Sequence, residues 1–145
     1  MLSEIFIAFG IVAILMCLHE LGHMLAARVM GMHIENVGFR RSPYPHPYVE
    51  VRWTFSRFKR QMFLYAGPLV TILLFSVAMG WQFFSWEVLY YAFAIQIIIE
   101  TNPFYSDFVL LVLMEKYKSQ DEASRGEYLF SSWLWYGHFV IWGAV

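Results

Sequence analysis

Residues 62–84, MFLYAGPLVTILLFSVAMGWQFF, run for 23 positions without one charged side chain. No half-buried strand or surface helix can be cut from such a run, because it offers no polar face to water. About 20 mainly apolar residues, rising 1.5 Å each, make a helix as long as the hydrocarbon core of a bilayer is thick. Lipid also requires every backbone N–H and C=O to be satisfied inside the segment, and a helix does that. The run therefore predicts a membrane-spanning helix.

Two further stretches qualify on the same ground. Residues 5–27 are apolar through Leu18 and are then interrupted by His19, Glu20 and His23; residues 88–114 carry Glu100, Asn102 and Asp107 in otherwise apolar sequence. Residues 129–145, rich in Trp, Phe and Tyr, are a candidate fourth span or an aromatic segment lying in the interface. The chain is 59% hydrophobic and 14% charged, against about 25% charged in a soluble domain. Its 145 residues predict one integral-membrane domain over 1–145. A net charge of -1 gives no ground for a nucleic-acid partner. The lone Cys17 excludes an intramolecular disulfide and reads as a small buried apolar group. Met1-Leu2-Ser3-Glu4 lacks the basic stretch and cleavage site of a secretory signal, so the first span is expected to be retained.

Orientation follows from the basic residues. Seven of the ten Lys and Arg lie between the first and second spans, and the other three, Lys116, Lys118 and Arg125, follow the third. Three crossings place them all on one side, which the positive-inside rule makes cytoplasmic. The N-terminus then faces outward, most simply across the cell membrane. Between the first two spans, His33–Phe39 and Tyr48–Trp53 are strand-like and flank the proline-rich SPYPHP at 42–47, predicting a short cytoplasmic-side β-hairpin. The expected fold is a mainly α-helical membrane protein with three core transmembrane helices, the candidate fourth, and this hairpin.

Ionisable residues inside spans are costly and are usually retained for function. His19-Glu20-Leu21-Gly22-His23 is an HExxH sequence. On a helix its histidines, four apart, project from one face so that both imidazoles reach one Zn²⁺, with Glu20 beside it as general base. The structural reading of the same residues is a polar cluster packed between helices. A catalytic zinc needs a third protein ligand and an open position for water. Counted along regular helices, Glu20 lies roughly 12 Å above Arg28 and Asp107 roughly 13–14 Å above Lys116, so Asp107 falls level with the histidines. Glu100, about two turns further from the cytoplasmic side, is the competing ligand. Asp107 acting only as a hydrogen-bond partner to a histidine is the remaining alternative. Asn102-Pro103 predicts a helix break lining a cavity, where Asn102 holds substrate backbone or supports an oxyanion; its bland reading is a capped proline kink.

These residues together resemble the site-2 proteases, a family of intramembrane metalloproteases. The resemblance rests on HELGH (19–23) in a span, the strand-like GMHIENVGF (31–39), AGP (66–68) opening the next span, and NPFYSD (102–107) in the third. It implies one Zn²⁺ per chain held by His19, His23 and Asp107, Glu20 as catalytic acid and base, and membrane-spanning or membrane-bound peptides as substrates. Two positions depart from the family pattern: Phe108 follows the Asp where Gly is usual, and Val70-Thr71 stand where an Asn often follows the Gly-Pro. The Phe108 departure keeps open a second reading, an inactive relative that binds membrane peptides without cutting them. A transporter with Glu100, Asp107 and His19 along its path is a third, disfavoured because no repeated half is evident.

Overall fold

The computed structural model describes residues 2–41, 45–82, 85–100, 107, 110 and 140. Over these the chain is mostly helical, with a two-stranded antiparallel hairpin between two long apolar helices. The first helix, α1, spans Leu2–Val29, longer at both ends than its apolar stretch. It stops in a left-handed cap. Gly31 takes φ 63°, its N–H bonds the Arg28 carbonyl at 3.1 Å, and the Met32 N–H bonds the Ala27 carbonyl at 2.8 Å. That pair of bonds satisfies carbonyls the helix end leaves open, and glycine takes the conformation without a Cβ penalty.

Strand β1 (Ile34–Arg40) then pairs with β2 (His46–Val51) in the register Ile34↔Val51, Val37↔Val49 and Phe39↔Pro47, with an irregularity between Ile34 and Asn36. Alternation along the strands puts Val37, Phe39, Pro47, Val49 and Val51 on one face, and Gly38, Arg40, His46, Tyr48 and Glu50 on the other. The polar face is tied together by Arg40 to Glu50 and by Asn36 to the Tyr48 hydroxyl at 2.9 Å. Ile34, Val49 and Val51 of the apolar face pack with Met30 and Met32 on buried Ala27, Phe63 and Leu64. The hairpin is therefore folded back onto the helices, and Pro47, expected in the connecting loop, is part of β2.

Helix α2 spans Arg57–Trp81, five residues ahead of the uncharged run, because Ser56 caps it by accepting from the Lys59 N–H at 3.4 Å. Gly22 of α1 is pressed against α2, where a β-carbon would stand 2.8 Å from the Ala66 carbonyl oxygen and 2.8 Å from Val70 Cγ2. This is the close approach that small residues permit between apolar helices. Helix α3, Trp86–Glu100, starts behind Ser85, whose hydroxyl accepts from the Val88 N–H. It packs on α1 through Ala8, Val12 and Ala92, and on α2 by stacking Phe93 on Phe75.

Two of these helices, α1 from Ser3 and α2, are long and apolar enough to cross a membrane. The expected third stretch, 88–114, is described only as α3 plus helical positions 107 and 110, and the candidate fourth, 129–145, lies outside the described residues except for Val140. Cys17 is exposed rather than buried.

Candidate metal centre

The site lies where α1 and α2 meet. His19 and His23 sit one turn apart on α1, and Asp107 is brought against both. Asp107 Oδ2 lies 2.9 Å from His19 Nε2 and 3.1 Å from His23 Nε2, and the two Nε2 atoms are 3.1 Å apart. The side chains of His19, His23 and Asp107 are 12%, 4% and 18% exposed. Among the described residues these three form a group that could hold a metal ion.

Hydrogen bonds on the far side of each ring decide what the near side offers. His23 Nδ1 lies 2.6 Å from the Phe63 carbonyl oxygen, which can only accept, so Nδ1 carries the proton. His19 Nδ1 lies 3.1 Å from Glu100 Oε1 and 3.3 Å from Thr71 Oγ1, and a carboxylate likewise accepts. Each neutral ring then turns a lone pair on Nε2 toward a carboxylate oxygen that also has only lone pairs. With both rings neutral, three acceptors converging within about 3 Å form a pocket that could hold a cation. Without one, these contacts need extra protons on the rings or on Asp107, and each buried charge this creates costs several kcal/mol in desolvation. Four-coordinate zinc, with bonds of about 2.0–2.2 Å, sets its ligands about 3.3 Å apart, close to the triangle seen here.

The wall behind the ligands is made by α2. A β-carbon on Gly67 would lie 2.5 Å from His23 Nε2 and closer still to His19 Nε2. Only hydrogen fits there, so Gly67 leaves the space the donor atoms share. One turn on, Thr71 is 3% exposed; its hydroxyl faces His19 Nδ1 and reaches the Gly67 carbonyl at 3.4 Å. Pro68 between them has no N–H with which to continue the helical ladder.

Glu20 is half-buried beside the histidines, with the Val49 backbone of β2 close to its carboxylate. The edge of the hairpin is thereby set next to this carboxylate.

Of the residues singled out from sequence, His19, His23 and Asp107 are brought together, and Glu20 lies beside them. Glu100, the competing candidate for the third ligand, is on the opposite nitrogen of His19 and does not join the triangle. Asn102 lies outside the described residues. Sequence reasoning missed the Phe63 carbonyl, Gly67 and Thr71. The Thr71 hydroxyl in an uncharged span, one turn after Gly67, was the available signal. No protein-family model, curated protein or solved structure matches the chain.

Proposed function

We propose that the chain is an intramembrane zinc metalloprotease that hydrolyses peptide bonds of membrane-spanning or membrane-bound peptides. The observation that carries this reading is the convergence of three lone-pair donors, His19 Nε2, His23 Nε2 and Asp107 Oδ2, within 3.1 Å of one another, with an HExxH glutamate at their side. A zinc ion held there by His19, His23 and Asp107 would supply an activated water and polarise a carbonyl. Three protein ligands leave a fourth position free, as hydrolytic zinc sites do and closed structural sites do not.

Glu20 ligates nothing in this reading. Its carboxylate takes the proton from the attacking water and returns it to the leaving amine. The carboxylate lies near the Val49 backbone at the hairpin edge. An extended peptide added along that edge would lay its backbone beside Glu20, using main-chain hydrogen bonds that do not depend on sequence. A helical substrate hides its carbonyls in its own ladder, so local unwinding must come first. The lipid bilayer is the chain's other partner. The basic residues set the hairpin side toward the cytoplasm and the N-terminus outside, and water reaches the site from the cytoplasmic side.

Membrane peptides compared between cells carrying the wild-type chain and cells carrying Glu20→Gln test the function and find the substrate together. Fragments present only with the wild type support the reading, and identical peptide profiles contradict it.

A further inference from the structure

Glu100 is a buried carboxylate that zinc-dependent hydrolysis does not require. It closes α3, its side chain is 10% exposed, and its Oε1 lies 3.1 Å from His19 Nδ1. The same oxygen accepts from Gln96 Nε2 at 2.8 Å, and Gln96, one turn earlier on α3, is 2% exposed. A charge held this deep in apolar surroundings is costly unless it is hydrogen-bonded, and among the described residues both bonds that hold it converge on one atom. Gln96 fixes the carboxylate, and the carboxylate meets the nitrogen of His19 that faces away from Asp107.

The two histidines are oriented by different means. His23 donates to a main-chain carbonyl, that of Phe63, which no substitution at position 63 removes. Among the described residues, His19 Nδ1 has side chains as partners, Glu100 and Thr71. An imidazole can turn about its χ2 bond and can carry its proton on either nitrogen. A carboxylate on Nδ1 removes both freedoms: it fixes the ring plane, keeps the proton on Nδ1, and leaves the Nε2 lone pair turned toward Asp107 and His23. Partners of this kind also make the ligand nitrogen more basic.

We propose that Glu100, held by Gln96, is the positioning residue for His19, a hydrogen-bond partner that sets ring and tautomer for metal binding without touching the metal. The inference rests on the metal-centre reading above. It also explains why a span carries two acidic residues seven apart: Asp107 serves the Nε2 side of His19 and Glu100 the Nδ1 side.

The test is zinc affinity, read by chelator competition on the purified full-length chain in detergent, together with the visible spectrum of the cobalt(II) form. Glu100→Ala should weaken zinc by roughly 10- to 100-fold and alter the cobalt bands. Glu100→Gln, whose amide oxygen accepts the same hydrogen bond, should recover most of the affinity with a near-wild-type spectrum. Wild-type affinity and spectrum in Glu100→Ala overturn the proposal. So does loss of zinc in both Glu100 variants with retention in Asp107→Ala, which would make Glu100 the ligand. Neither readout involves a substrate: a chain that binds zinc but cuts no peptide overturns the protease reading alone, and one that binds no zinc overturns both.

Discussion

Gly67 of α2 faces His19 of α1 at a separation that leaves no room for a β-carbon between them. The histidines can converge on Asp107 only because this stretch of α2 presents hydrogen where every other residue presents a side chain. Gly67→Ala therefore places a methyl among the donor atoms. Overpacking of this kind costs about 1–3 kcal/mol, and taken from the metal-bound geometry it lowers zinc affinity by roughly 5- to 150-fold. Chelator competition measures the loss; unchanged affinity contradicts the placement of Gly67.

Gly22 tests the helix contact separately from the metal. Its β-carbon would meet the Ala66 carbonyl oxygen and Val70 Cγ2, whereas one on Gly10, further up the same helix, meets nothing within 4 Å. Gly22→Ala should destabilise the fold by about 1–3 kcal/mol, visible as a lower Tm in detergent. Gly10→Ala should leave Tm unchanged or raise it slightly, since alanine is the better helix former by up to about 1 kcal/mol. Equal effects at the two positions would contradict the close α1–α2 approach.

Thr71 shares His19 Nδ1 with Glu100, at the longer distance. Thr71→Val keeps the shape and removes the hydroxyl. A hydrogen bond is worth about 0.5–1.5 kcal/mol, so zinc affinity should fall about two- to tenfold, less than for Glu100→Ala. A larger loss than at Glu100 reverses the assigned order of the two partners.

Much of this site is legible in the amino-acid sequence alone. The HELGH spacing decides which side chains share a helix face, and equal depth in two apolar stretches brings Asp107 to the histidines. The strand-like segments around SPYPHP mark the hairpin, although Pro47 joins a strand instead of the turn. Depth counted along regular helices misplaces Glu100, whose carboxylate meets His19 Nδ1. The Phe63 carbonyl cannot be read at all, since a backbone acceptor carries no residue signature. Gly67 is visible within AGP, but its purpose depends on a distance between two helices, which no single stretch of sequence contains.

Orientation can be checked through Phe55, which is 88% exposed in the loop between β2 and α2. In a Cys17→Ala background, Phe55→Cys gives a chain with a single thiol. The distribution of basic residues predicts that a membrane-impermeant maleimide labels it in inverted vesicles and leaves it unlabelled in intact cells. Labelling in intact cells contradicts the cytoplasmic placement of the hairpin.

The central claim is that Glu20 handles protons at a zinc site formed by His19, His23 and Asp107. It is tested most directly by purifying the wild-type chain and Glu20→Gln, measuring zinc per chain, and following cleavage of a membrane-spanning peptide reconstituted with each. The account predicts one zinc in both proteins, cleavage by the wild type, and a loss of at least about 100-fold in Glu20→Gln, the scale of general acid–base catalysis. Full cleavage by Glu20→Gln, with zinc bound, would contradict it.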